Sequence, residues 1–488
     1  MRGDVGHVLT GVDWFVLVYF FAINSGYLAL IVLAALEFVR HGRIQGALGY
    51  DDTFVNPLAP PVSIILPTYN EQAGIVTSVV AMLALRYPEF EVVVVLDGCS
   101  DDSFSVLQRA FELVEVPCVL AEKIPTRVPQ TAKFVAAGTA PLVVFTKENS
   151  GRADSINLGI NAARYPLVCM VDADSILDPE ALLHVAQPFM DDPERVIATG
   201  GVIRAANGCL IRHGRIMEVR MPRPWLARIQ VMEYLRAFLL GRTGWSRLNS
   251  LLIISGAFGL FRKDLVIEVG GLDPTCIGED AELVVRLHKK MREARRPYRV
   301  VLVAEPVSWT EVPETARVLA RRRRRWARGL AEVLWRHRSM IGNPRYGRIG
   351  LLAMPYFVIF EYLAPFIQIA GVAAVIVALV LGAINIVFGV LFLLVALGYG
   401  LLLSIAALVI EELSFHRYAR WRDLAIAVAA ACVENFGYRQ LTAFWQLQGS
   451  WAALRRKQAV WGEMTRTGFT LATPADPTPG RGGGGRRE

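Results

Sequence analysis

The sequence predicts an α/β domain, built on a mostly parallel sheet and inserted between transmembrane α-helices. Composition and pattern lead there together. Of the 488 residues 53% are hydrophobic, and the mean hydropathy of +0.38 is too high for an ordinary soluble enzyme. That hydrophobicity is concentrated at Trp14 to Phe38 and at Leu351 to Ile410, while the long middle carries most of the charges. In the middle, short apolar runs at Val62 to Leu66, Glu91 to Leu96, Pro141 to Phe145 and Leu167 to Val171 alternate with helix-like stretches at Glu71 to Leu85, Asp102 to Leu113 and Arg152 to Ala163. Strands spaced by helices give βαβ units, whose ligands bind at the carboxyl ends of the strands.

In chain order, residues 1–45 form an N-terminal transmembrane helix, since Asp13 to Phe38 holds the ~20 apolar residues that span a bilayer. No basic segment precedes it and no small-residue cleavage site follows, which predicts a retained helix rather than a signal peptide. Arg40 and Arg43 place its C-terminal end in the cytoplasm and the N-terminus outside. Asp51 to Pro61, with three prolines and two aspartates, is a linker. Residues 60–330 are the folded aqueous domain. Its first strand runs into the turn Pro67-Thr68-Tyr69-Asn70-Glu71. The second ends in Asp97-Gly98, where glycine permits a tight turn, and Ser100 or Asp101 can cap the helix that follows. Lys147 to Asn157 is a polar loop that carries Lys147 and Arg152 into a helix start, a place suited to a diphosphate. The fourth strand ends in Val171-Asp172-Ala173-Asp174, where two carboxylates one residue apart share a side and can share a divalent cation. A plain strand-ending turn is the competing reading of that pair.

The net charge of +8, from 52 Lys and Arg against 44 Asp and Glu, does not indicate nucleic acid, because the basic clusters at Arg321 to Arg325, Arg417 to Arg422 and Arg455 to Lys457 flank apolar spans. Six scattered cysteines and seven ungrouped histidines predict reduced thiols and no zinc site.

Taken in order, Pro67 to Glu71, Asp97-Gly98, the Lys147 to Asn157 loop, Asp172-Ala173-Asp174, Gly278-Glu279-Asp280-Ala281-Glu282 and Arg321 to Trp326 resemble the motif set of family 2 membrane glycosyltransferases, and specifically the processive synthases of cellulose, chitin, hyaluronan and poly-N-acetylglucosamine. The resemblance covers roughly residues 60 to 330. It implies a GT-A-like, Rossmann-type nucleotide-sugar domain and an inverting, metal-dependent transfer from a UDP-sugar. By position in the motifs, Thr68, Tyr69, Glu71 and Asp97 look like uridine-side contacts. Lys147, Arg152 and Arg325 look like diphosphate contacts, Asp172 positions the nucleotide sugar, and Asp174 is similar to the ligand of a Mg²⁺ or Mn²⁺ ion. Asp280 is similar to the base that takes the acceptor proton, and Glu279 beside it should disfavour ionisation and raise basicity. Gly256, Phe258, Trp326 and Arg322 correspond to acceptor-side positions. For Arg321 and Arg323, contact with anionic lipid is an equal alternative. The sequence departs from the family at Leu96, where many relatives have Asp, at Arg152, where many have Lys, and at Arg322, where most synthases have Gln.

Beyond the domain, residues 331–350 predict an interfacial helix with Trp335 and Arg336 at headgroup level. Residues 351–450 hold the C-terminal transmembrane helices. Leu351 to Leu381 is long for one crossing and is interrupted by Glu361 and Pro365, so it is one kinked span or an interfacial piece plus a span; Ile386 to Ile410 is a clear crossing. Leu424 to Leu447 either crosses or re-enters, and its Glu434 and Arg439 line a path or form a structural pair. Residues 451–488 are a juxtamembrane segment, including Trp461 to Arg466, and a disordered tail from Thr473. The expected partners are a UDP-sugar, a polysaccharide or a lipid acceptor, membrane lipids and, in some arrangements, accessory subunits, with no nucleic acid. The implied setting is a bacterial-type inner membrane with the catalytic domain cytoplasmic. Polymer extension coupled to export is the first reading, single transfer to a lipid the second, and a non-catalytic membrane protein with a degenerate domain the third.

Overall fold

The computed structural model describes residues 2–45, 59–212, 215–380, 386–415 and 420–455. Trp461 to Arg466, the Gly382 to Asn385 link and the tail lie outside them.

The chain begins with α1 (Arg2–Gln45), of which Gly11–Val39 is long and apolar enough to cross a membrane. The sheet domain then runs β1 (Val62–Thr68), α2 (Ile75–Leu83), β2 (Phe90–Asp97), α3 (Ser103–Phe111), β3 (Leu113–Val116), β4 (Gln130–Ala136), β5 (Leu142–Lys147), α4 (Arg152–Ala162), β6 (Leu167–Val171), β7 (Ile176–Leu177), α5 (Ala181–Asp191) and β8 (Val196–Ala205). A hairpin of β9 (Leu210–Arg212) and β10 (Arg215–Glu218) leads to α6 (Trp225–Tyr234). A π-helical stretch, Leu235–Gly241, carries α6 directly into α7 (Arg242–Arg247). Next come β11 (Phe258–Arg262), α8 (Lys263–Glu268), α9 (Glu279–Glu293), β12 (Arg299–Thr310) and the long α10 (Ala316–Arg336). The C-terminal half comprises α11 (Ala364–Val380), α12 (Ile386–Leu393), α13 (Gly400–Phe415), α14 (Trp421–Val433) and α15 (Arg439–Leu454).

The ten main strands form one sheet in the order β3-β4-β5-β2-β1-β6-β11-β8-β12-β7. The four predicted strands are all present and stand side by side, parallel, as β5-β2-β1-β6. Reversal begins at β11, which runs antiparallel between β6 and β8. Alternation sends Ile64, Leu66, Val92, Val94 and Phe258 to a face covered by α2 and α5. The other face, with Ile65, Val168, Met170 and Phe261, belongs to a core that also includes Leu30 and Ile31 of α1 and Leu403 and Ala407 of α13. The aqueous domain and the membrane helices therefore share one apolar core on that side.

Among the described residues three helical stretches are long and apolar enough to cross a membrane: Gly11–Val39, Ile349–Val380 and Gly389–Ser414. The second is one kinked helix, with π-helical turns at Ile349–Ala353 and Phe357–Tyr362 where Glu361 and Pro365 interrupt the apolar run. Leu424 to Leu447 is instead split between α14 and α15 by the non-helical backbone of Phe436 and Gly437. There α14 packs on α6 and α15 on α10, so this segment lies against the transferase-side helices. Of the predicted interfacial helix at 331–350, the first part is the end of α10, which begins at residue 316, and the rest holds short 3-10 turns at Arg338–Met340 and Pro344–Tyr346, so the expected boundary at 330 falls inside a helix.

His288 of α9 is fully buried, with Nε2 2.8 Å from the carbonyl of Leu251 and Nδ1 2.9 Å from the hydroxyl of Tyr298. Burial pushes its pKa from 6.5 down to about 4, against the pull of the Leu251 carbonyl. Between those values the unfolded chain binds a proton that the folded chain refuses, so this contribution is complete above pH 6.5 and fades as the pH falls toward 4. Thermal unfolding in detergent should show a loss of roughly 3 kcal/mol across that interval. H288Q should flatten that component; parallel profiles for the two proteins would refute it.

Candidate functional site

A cavity of about 1530 Å³ opens at the carboxyl ends of the central strands and continues to the membrane helices. Thr68, Tyr69, Glu71, Asp97, Arg152, Asp172 and Asp174 line one end, and Asp280, Gly256, Trp326, Arg322 and Arg325 line the middle. Its far end reaches Asn24, Tyr27, Glu361, Gln368, Arg439 and Gln446.

The first wall is made by the turns that follow β1 and β2, which lock to each other. Asn70, in the left-handed region at φ 53°, accepts from Ser100 N at 2.8 Å. Asp101 accepts from Gln72 N and from Ser103 N, both at 3.0 Å, which ties the turn after β1 to the start of α3. Asp97 is buried at the cavity wall, and its carboxylate accepts from the backbone N–H groups of Ser150 and Gly151, each at 2.9 Å. Gly98 must be glycine: its φ is 63°, and a Cβ would stand 2.5 Å from Asn149 N.

The predicted diphosphate contact at Lys147 is overturned. As the last residue of β5, Lys147 turns inward, and its ammonium is fully buried against the equally buried carboxylate of Asp154. Asp154 also accepts from Ser150 Oγ at 2.6 Å and Arg127 N at 2.7 Å, so the pair staples the loop from beneath. Phe258 is also corrected. It opens β11 opposite Val171, and its side chain, fully buried, points into the core on the α2 and α5 face instead of into the cavity.

Arg152 does line the cavity, but its guanidinium is already engaged. Nε donates to Asp172 Oδ1 at 2.8 Å, NH1 to Glu279 Oε1 at 2.9 Å and NH2 to the carbonyl of Gly256 at 2.8 Å. Burial opposes its charge, yet Asp172 and Glu279 raise its pKa further. Arg152 is therefore a brace between the strand end and α9 rather than a free cation. Gly256 also donates its N–H to Asp280 Oδ2 at 3.0 Å, so one short segment fixes both the brace and the candidate base. Burial raises the pKa of Glu279, opposed by Arg152 and reinforced by Asp280; with its carboxylate held by Arg152, Glu279 positions its neighbour.

Asp172 and Asp174 are the groups that would hold a divalent cation. Burial, and then the charge of Asp172, push Asp174 up to about 6, a strain that a cation between them would relieve. Among the described residues no group of three or more His, Cys, Asp or Glu is placed to hold a metal, so phosphate oxygens and water would complete the shell, as is usual for Mg²⁺.

The opposite wall is α10. Trp326 lies edge-on to Phe238, with ring centres 6.4 Å apart, and Arg322 and Arg323 stack near it at 4.9 and 5.0 Å. Burial, together with nearby Arg322, lowers the pKa of Arg325. Arg323 is not a lipid contact: it is buried and paired with Glu233 and the hydroxyl of Tyr438. α10 meets α9 at Gly278 and Gly329, where a Cβ on either residue would lie 3.1 to 3.3 Å from the other's backbone. That contact sets the spacing between Trp326 and Asp280. In the membrane half, Glu434 is buried in a clamp with Arg236 (2.5 Å) and Arg439 (3.1 Å), which is the structural-pair alternative, while both arginines line the cavity.

The sequence reading passed over Asn149, Tyr234 and Arg242, all on the cavity wall. Asn149 lies inside the Lys147 to Asn157 motif; Tyr234 and Arg242 lie in a helical stretch without a motif, on either side of the π-helical turns.

A family model described as Glycosyltransferase like family 2 matches residues 60–329. The poly-beta-1,6-N-acetyl-D-glucosamine synthase of Staphylococcus aureus (strain COL) is 29% identical over 277 residues, 56% of each chain. The protein of the same name from Staphylococcus epidermidis is 27% identical over 275 residues, again 56% of each. The chain thus spans little more than half the length of these curated relatives. Among solved structures, a mannosyltransferase, PcManGT from Pyrobaculum calidifontis in complex with GDP-Man and Mn²⁺, is 19% identical, covers 86% of this chain and 99% of its own, and gives a TM-score of 0.47. TarS of S. aureus is 15% identical, covering 78% and 91%, with a TM-score of 0.36.

A methyl group at Gly256 would meet Arg152 NH2 at 2.7 Å. The arginine is held at three points and cannot swing aside without releasing a carboxylate. Gly256→Ala should therefore reduce turnover about tenfold or more by misplacing Asp280. The unfolding temperature should stay within a few degrees; unchanged turnover would refute the brace.

Proposed function

The chain belongs to this family and is a glycosyltransferase with a GT-A-like α/β domain, and we propose that it moves a sugar from a UDP-sugar to the hydroxyl of a growing polysaccharide at the cytoplasmic face of a membrane, with inversion at the anomeric carbon. The observation that carries the reading is the single cavity, which has Thr68, Asp97, Asp172 and Asp174 at one end and Asp280 with Trp326 facing them. The names of the Staphylococcus relatives support a polysaccharide acceptor.

In this reading the turns after β1 and β2 seat the nucleoside against Tyr69, Thr68 and Asp97, and Asp172, held by Arg152, orients the donor sugar. A divalent cation on Asp174 and Asp172 would supply Lewis-acid stabilisation of the leaving diphosphate. Arg325 and Arg322 supply fixed positive charge on the same side. Asp280, anchored by the Gly256 N–H, accepts the proton of the acceptor hydroxyl as that oxygen attacks. A single displacement inverts the centre. Trp326 offers a flat apolar face to the acceptor ring. The far end of the cavity reaches α1, the Ile349–Val380 helix and α13, which supports export through the membrane half.

Asp280→Asn should lower transfer about 100-fold or more while the Kd for UDP stays within about threefold. Substantial residual turnover would remove Asp280 from the role of base. Asp174→Asn should abolish the tightening of UDP binding by Mn²⁺ in calorimetry; retained tightening would move the cation elsewhere. With labelled UDP-sugars, label should enter a long polymer; label extracted only into organic solvent would make a lipid the acceptor.

A further inference from the structure

Arg242 is a cation for which the mechanism above has no use. It opens α7, directly after the π-helical stretch Leu235–Gly241, and π-helical turns recur at functional sites. Its guanidinium carbon lies 4.1 Å from the ring centre of Phe238, on the wall of the cavity that also holds Asp280 and Trp326. Four other cavity arginines each meet a carboxylate: Arg152 meets Asp172 and Glu279, Arg236 and Arg439 meet Glu434, and Arg323 meets Glu233. Among the described residues Arg242 has no ion pair and no side-chain hydrogen bond, so its five donors are available to whatever fills the cavity. Burial holds its pKa down to about 10, and Asp280 and Tyr234 pull it back up, so at neutral pH it remains charged.

We propose that Arg242 is an acceptor-binding residue that, with Asp280, holds the attacking hydroxyl of a neutral sugar: the hydroxyl donates its proton to Asp280, and its oxygen accepts a hydrogen bond from Arg242. The inference rests on the glycosyl-transfer reading and adds to it a second contact on the acceptor oxygen and an uncharged acceptor. The electrostatic neighbours separate the two sides of the cavity. Arg325 senses Arg322, Glu279, Asp172 and Arg152, the donor side, whereas Arg242 senses Asp280 and Tyr234. The opposite charges of Arg242 and Asp280 attract without closing into an ion pair, and a hydroxyl, which both donates and accepts, completes such a gap. The two charges cancel, so a neutral sugar suits the subsite, and a carboxylate on the acceptor would be set against Asp280 and Glu279. Trp326 and Phe238 stand edge to face on the same wall and supply its apolar surface. In the step itself the acceptor oxygen bonds to the anomeric carbon, the bond from that carbon to the diphosphate oxygen breaks with its electron pair, and the proton passes to Asp280. Arg242 keeps all its protons.

The test uses the full chain in detergent with UDP-N-acetylglucosamine, and as primer a short β-1,6-linked N-acetylglucosamine oligomer or its uronate-ended counterpart. R242Q should raise the KM for the neutral primer about tenfold or more, the equivalent of one lost charged hydrogen bond. The Kd for UDP should remain within about twofold, and R242K should recover part of the loss. An unchanged primer KM, a parallel loss of UDP affinity, or no difference between R242K and R242Q would each overturn the proposal. So would a lower KM for the uronate-ended primer. A wild-type chain that transfers to no primer from any UDP-sugar would overturn the glycosyl-transfer reading, and this proposal with it, whereas an active wild type matched by R242Q would sink the proposal alone.

Discussion

The guanidinium of Arg152 joins three parts of the chain at one point: the end of β6 through Asp172, the start of α9 through Glu279, and the segment before β11 through the Gly256 carbonyl. Each partner is costly to bury without it, because an isolated carboxylate in a low-dielectric wall costs several kcal/mol. The planar fork of arginine reaches three acceptors at once, which the single ammonium of lysine does with less directional control. Asp280 inherits its place from that brace, since the same Gly256 that accepts from Arg152 donates to Asp280.

A second theme is that the sheet domain and the membrane helices are tied by buried charge as well as by a shared apolar core. Arg204 of β8 pairs with Glu411 of α13, Arg236 with Glu434, and Arg323 of α10, itself paired with Glu233 of α6, donates to the hydroxyl of Tyr438. Buried ion pairs add little net stability, but breaking one by removing a single partner is severe. Their effect here is to fix which surfaces meet. The cavity runs between those surfaces, so its shape depends on them.

Much of the architecture was legible in the sequence. The four apolar runs are the four adjacent parallel strands, because a strand buried on both faces leaves a continuous Val, Ile and Leu signature. Residues that end strands, Asp97, Asp172 and Asp174, were placed correctly at the cavity, since topology alone carries strand ends there. Lys147 and Phe258 failed for different reasons: Lys147 ends β5 beside Asp97 but its ammonium is captured by the buried carboxylate of Asp154, whereas Phe258 follows the pleat of β11 into the core opposite Val171. Arg323 failed as Lys147 did. In a run of five arginines the helical period turns three toward the cavity, and only the packing of α6 against α10 shows that one of these, Arg323, is buried in an ion pair with Glu233. Arg242 had no signal, since an arginine in an amphipathic helix normally faces solvent.

The length of α10 bears on modularity. One uninterrupted helix from residue 316 to 336 bears the cavity-lining Trp326 at its middle and continues past the end of the recognisable domain. It is seated against α9 through Gly278 and Gly329 and against α15 through Gly449, whose missing side chain leaves room for the carbonyl of Arg324. A cut at the domain boundary would sever the wall of the cavity in mid-helix and strip the support from its outer face. The aqueous part of this enzyme is thus not a detachable cartridge. Shuffling it onto other membrane anchors would require carrying α15 along, so the two halves are expected to be inherited as a unit.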